Sequence, residues 1–148
     1  MAHGASDTRL FIPALKPVYD GLGRFVYPFI RIVISLPMLP RGWEKFTEPK
    51  TQAGVTALIG KIGFHPAAGF FWFVAALELF GGVMLALGLL TRLVALMFMV
   101  ELIVIIVGVF IPAGRAISDI LMWALVFFAF VWGGGGRYSL DRLIGREL

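Results

Sequence analysis

The chain contains no cysteine. That absence excludes disulfides, thiolate nucleophiles and cysteine-ligated metal or cluster sites. Histidine is almost as scarce. His3 and His65 are the only two, and neither has a second histidine at helical spacing. A bis-histidine haem or zinc site within one chain is therefore not expected. Charged residues make up 15% of the chain, against roughly a quarter in soluble domains. The first residues, MAHGASDTRL, lack a basic start followed by an apolar core, so no cleavable signal peptide is expected. The net charge of +4 comes mostly from basic residues flanking apolar runs, not from one polar face, so nucleic acid is not an expected partner. The run Gly133 to Gly136 lacks the preceding strand and the spacing of a phosphate loop.

What is abundant is apolar sequence. Hydrophobic residues reach 59% and the mean hydropathy is +0.91. An apolar run of about 20 residues crosses the hydrocarbon core of a bilayer. Two such runs meet at Leu90-Thr91-Arg92: a second span over about Ala67–Leu89 and a third over about Arg92–Ile111. A weaker first span covers about Phe25–Leu39, punctuated by Pro28 and Pro37, with Pro40 just beyond, and a kinked helix is expected there. A fourth covers about Ala116–Trp132 and ends at the glycine run. Between the first two spans, Val55, Leu58, Ile59 and Ile62 fall at helical spacing and predict a short interfacial helix.

The expected fold is thus an all-α integral membrane protein, a bundle of four transmembrane helices. Residues 1–24 form an amphipathic surface segment, 25–132 the membrane domain and 133–148 a polar tail in which Ser139 caps a last short helix. Lysine and arginine counts are seven on the side of the termini and the Thr91 hairpin, five on the other. That places both termini of a multi-pass protein in the cytoplasm.

Charges inside the spans carry the functional expectation. Glu78 lies 13 residues before Thr91 and Glu101 lies 10 after it, so they share a depth of roughly 15–20 Å. Arg31 enters from the same side and its long side chain reaches inward. The three are expected to form one buried polar layer. With all three ionised it carries one excess negative charge, and a shared proton relieves it. The layer is read two ways: as a proton or quinone site, or as a clamp between helices, since Glu78, Gly82 and Ala86 share one face. Lys45, His65, Arg92, Asp119 and Asp141 are placed at the interfaces, Asp119 as a solvated residue of a helix start. No residue is assigned as catalytic and none as a metal ligand.

The stretch from Glu78 through Gly81-Gly82 to Thr91-Arg92, with Ala95-Leu96, resembles the central signature of the DoxX family. Arg31 with Gly42 and Lys45 is similar to its opening motif, and Gly136-Arg137-Tyr138-Ser139-Leu140-Asp141 to its closing one. Ser35 stands where the family usually has glycine, and Pro37 and Pro40 are unusual there. The resemblance implies a small bacterial inner-membrane protein with four helices. It makes Arg31, Lys45, Glu78, Arg92 and Asp141 the family-type polar positions. It further implies membership of membrane redox assemblies, one of them a thiosulfate:quinone oxidoreductase. The expected role is a non-catalytic accessory or scaffold subunit with other membrane subunits as partners. The alternatives are a quinone-interacting oxidoreductase subunit and a small proton path or transporter that would homo-oligomerise. No covalently bound cofactor is expected; quinone is the one candidate.

Overall fold

A computed structural model describes residues 16–145. Every regular element among them is helical. Helix α1 spans Lys16–Ser35 and α2 spans Met38–Thr47. Pro37 cannot continue the hydrogen-bond ladder, so the chain bends at Leu36-Pro37 and restarts. Pro17 falls in the first turn of α1, where a missing N–H has no partner to lose. As a result α1 runs unbroken past Phe25, and the expected boundary at residue 24 is not a break. The apolar stretch extends over Gly21–Thr47 instead of ending near Leu39. Residues 1–15 and 146–148 lie outside the described residues, so most of the expected surface segment and Arg146 do too.

Helix α3 spans Pro49–Lys61. Its Ile59 packs with Phe71 and Ala75 of α4, which spans Ala67–Ala76. The chain then opens into a wider π-turn, Leu77–Gly81, and returns to α-helix as α5, Gly82–Leu87. Gly88 and Leu90 adopt left-handed backbone (φ 72° and 48°) to reverse the chain. Helix α6, Thr91–Ile105, ends in a second π-turn, Ile106–Phe110. Helix α7, Ser118–Gly133, and a short α8, Leu140–Ile144, complete the chain. Ala67–Leu87 and Thr91–Phe110, like Gly21–Thr47, are long and apolar enough to cross a membrane, and α7 is a shorter apolar helix.

The core lies where α6 meets α5 and α7. Leu77, Leu85, Val94, Phe98 and Phe127 are buried there, and the Phe98 and Phe127 rings stack 5.0 Å apart. Small residues set the other contact. Gly82 sits against Met38 and Leu39. Gly42 of α2 faces Leu79 so closely that a Cβ there would stand 2.7 Å from the Leu79 Cα and 2.8 Å from its Cβ. Lipid supplies no hydrophobic drive between helices, so such close backbone packing has to. Gly42→Ala is therefore expected to push α2 off the first π-turn and to destabilise by about 1–3 kcal/mol. The midpoint of thermal unfolding in detergent checks this, and an unchanged midpoint would show that the contact carries no energy.

Candidate functional site

Two polar centres emerge, and they divide the expected polar layer between them. The first gathers around Arg31, which is 2% exposed. Its Nη1 donates to the Gly135 carbonyl. Its Nη2 donates to the carbonyls of Tyr138 (2.9 Å) and Ala86 (3.4 Å). The planar guanidinium fork suits several acceptors at once. One turn on, the Ser35 hydroxyl donates to the carbonyls of Arg31 (2.6 Å) and Ile32 (3.0 Å), so this departure from the family's glycine is absorbed within α1. Asp141, also buried, accepts from the backbone N–H groups of Leu90 (2.6 Å) and Thr91 (3.0 Å) at the start of α6. Its own N–H donates to Gly88 (3.0 Å). Tyr27 donates from its hydroxyl to Gly134 (2.7 Å). Ser139 caps α8 by accepting from the Arg142 N–H (3.3 Å), as the sequence suggests.

Glycine is required here for a concrete reason. At Gly88, with φ 72°, a Cβ would lie 2.7 Å from Cζ of Arg31 and from Cβ of Ser139. The opening, central and closing motifs therefore converge on one knot that ties the tail to the α5–α6 reversal. Asp141 closes this knot. Arg92 is half-buried beside Thr91 at the start of α6.

The second centre is Lys45, Glu78 and Glu101. Lys45, buried on α2, forms an ion pair with Oε2 of Glu78 in the first π-turn. Glu101 of α6 lines the same cavity as Lys45 and Glu78, whereas Arg31 bonds to carbonyls elsewhere. Because α1 continues into α2, Arg31 sits level with Gly88, and Lys45, 14 residues further along, meets the carboxylates. The expected interfacial position of Lys45 is corrected on the same ground. A signal for it was present. Gly42 and Lys45 are one turn apart on one face, a bare contact point beside a long cation.

All three residues line a cavity of about 580 Å³ enclosed by α3, α4 and α6. Its walls are apolar, with Leu58 from α3, Ile62 just after it, Phe73 from α4, Val104 from α6 and Phe110 from the second π-turn. Lys45, Glu78 and Glu101 form its inner end, and Arg115, whose guanidinium lies 4.7 Å above the Phe110 ring, its outer one. Both π-turns border it. Such turns widen a helix locally and recur at functional sites.

The remaining polar positions stay apart. His65 is exposed just before α4, and exposed Asp119 lies in the first turn of α7, accepting from Ser118 (3.2 Å). Among the described residues no group of three or more histidine or acidic side chains is placed to hold a metal ion.

Described residues whose regular structure is all helical, with three helices long and apolar enough to cross a membrane and charges buried between them, define a membrane protein of helical-bundle type. The DoxX family model matches residues 27–112, more than half of the sequence. The chain belongs to the DoxX family. It is similar to an uncharacterized membrane protein of Mycobacterium tuberculosis, 31% identical across 80% of each chain. It is also similar to an uncharacterized protein of Haemophilus influenzae, 29% identical across 76% of this chain and 86% of that one. No solved structure matches it.

Proposed function

We propose that this chain is an accessory membrane subunit of a larger redox complex in the bacterial inner membrane, and that it contributes a quinone site. In this reading α7 is a fourth span, α3 lies at the interface against α4, and both termini face the cytoplasm. The observation that supports it is the inner end of the cleft. An ammonium has three donors, and Lys45 gives one to Glu78. The rest of its donor capacity, with the Glu101 carboxyl, meets an apolar space of the size that small-molecule sites have. A membrane-soluble ring bearing carbonyl oxygens matches that combination. When bound, quinone would supply the redox chemistry; Lys45 and Glu101 would hold and orient its oxygens. With no cysteine and two histidines, the chain offers few ligands for a redox centre, so a partner would bring the electrons.

A pure scaffold is the second reading, favoured by the Lys45–Glu78 pair, which ties α2 to the first π-turn. Gentle-detergent purification with mass spectrometry of co-purifying proteins and quinone separates the two. Glu101→Gln is expected to keep the fold, since Lys45–Glu78 persists, and to lower retained quinone at least tenfold. Retention equal to wild type, or a wild-type chain without quinone, would leave the scaffold reading.

A further inference from the structure

The cleft is not symmetric across the bilayer. On the Ala67–Leu87 helix its lining ends at Glu78 and does not continue into α5. On α6 and the second π-turn it runs from Leu96 through Glu101 to Phe110, and it finishes at Arg115. Glu101 lies 10 residues from Thr91 and 9 from Phe110, where the helix ends and Arg115 folds back onto it, roughly 15 and 13 Å of helical rise. The inner end therefore sits near mid-membrane; Leu96, Met97 and Val100 carry the lining a little past it, and the longer part of the cleft, from Val104 to Arg115, lies in the leaflet on the Arg115 side.

Towards Thr91 the way is closed. Leu77, Leu85, Val94 and Phe98 are 6%, 0%, 1% and 1% exposed. A single added Cβ on Gly81 would already stand 2.9 Å from Leu77 and 3.3 Å from Val94. Beyond this plug lies the Arg31 knot. Sideways the cleft is open. Leu58 on α3 and Phe70 and Phe73 on α4 line it and are themselves exposed, 38%, 40% and 54%.

We infer that an amphiphile with a hydrogen-bond-accepting head enters this cleft only from the leaflet on the Arg115 side, head first, and leaves its tail along α3 and α6. This rests on the reading of the cleft as a ligand site and adds the route and the orientation. The orientation follows from partners. Between the two ends the walls offer a polar head nothing to bond, whereas Lys45 offers donors at the inner end. The reverse pose, head at Arg115 and tail inward, would press hydrocarbon against an ion pair and a carboxyl without satisfying them. Arg115 over Phe110 marks the level of the headgroup region, where a long cationic side chain reaches water.

The test is photolabelling in liposomes with an azido-ubiquinone carrying a decyl tail, with adducts mapped by mass spectrometry. Wild type is expected to carry adducts near Lys45 and on α6 between Val100 and Val109. Val104→Trp fills the cleft between its mouth and its inner end and is expected to reduce the Lys45 adduct at least tenfold. Val109→Trp serves the same purpose should the first variant not purify as a single species. Leu93→Trp, on the exposed surface of the opposite leaflet, is expected to leave labelling unchanged. Loss of the Lys45 adduct in Leu93→Trp with retention in Val104→Trp would overturn the route. Adducts confined to Arg115 would overturn the orientation and indicate a headgroup site at the surface. A wild-type chain labelled nowhere, while quinone still co-purifies, would overturn the inference but not the quinone reading. Failure of both would remove the site itself.

Discussion

Arg31→Leu is expected to destabilise the protein by about 3–5 kcal/mol, among the largest effects of any single substitution. The change removes the donor to three backbone carbonyls, those of Gly135, Tyr138 and Ala86. Each carbonyl left unpaired in a buried place costs roughly 1–3 kcal/mol, partly relieved where the loop relaxes towards water. Asp141 would also lose the nearby cation while still holding the start of α6. Arg31→Lys is expected to recover only part of this, because one ammonium cannot reproduce a planar fork reaching several acceptors. Thermal unfolding in detergent and elution as a single species would read the effect. A leucine variant within about 1 kcal/mol of wild type would mean that the knot is not what holds the tail to the α5–α6 reversal.

Why the knot escapes sequence reading is physical. The Nη atoms of Arg31 bond to main-chain carbonyls more than a hundred residues away in the glycine-rich loop, and main-chain acceptors leave no trace in side-chain periodicity. Hydropathy, in contrast, is written in the side chains. It located the runs that become Ala67–Leu87 and Thr91–Phe110, and the helical spacing of Val55, Leu58, Ile59 and Ile62 located α3. The stripe of Glu78, Gly82 and Ala86 was legible as a packing face, and α1 and α2 do press on it. Counting from Phe25 misplaces depth, because α1 begins at Lys16 and the apolar stretch extends through Thr47. The same shift moves Arg31 outwards and brings Lys45 in. The first π-turn, which sets where Glu78 points, packs against α2 and has no pattern of its own in the sequence.

Lys45 and Glu78 should behave as one unit. Lys45→Met alone leaves two carboxylates, Glu78 and Glu101, in one mostly apolar cleft. Glu78→Met alone leaves the ammonium without its ion-pair partner. Removing one member of a buried pair costs about 3–5 kcal/mol, whereas replacing both by apolar side chains of similar size is often close to neutral. The expected cycle is therefore two strongly destabilised single variants and a Lys45→Met/Glu78→Met double variant within about 1–2 kcal/mol of wild type, a coupling well above that of independent sites. Unfolding midpoints of the four proteins in one detergent measure it. Singles that lose less than about 1 kcal/mol would place the pair in a hydrated setting, where ion pairs contribute little, and would remove the clamp. The double variant also separates stability from purpose. If it folds like wild type and still retains quinone, the pair serves only to lock α2 to the π-turn. If it folds and quinone is lost, the charges are kept for the ligand, because an apolar pair would hold the helices as well.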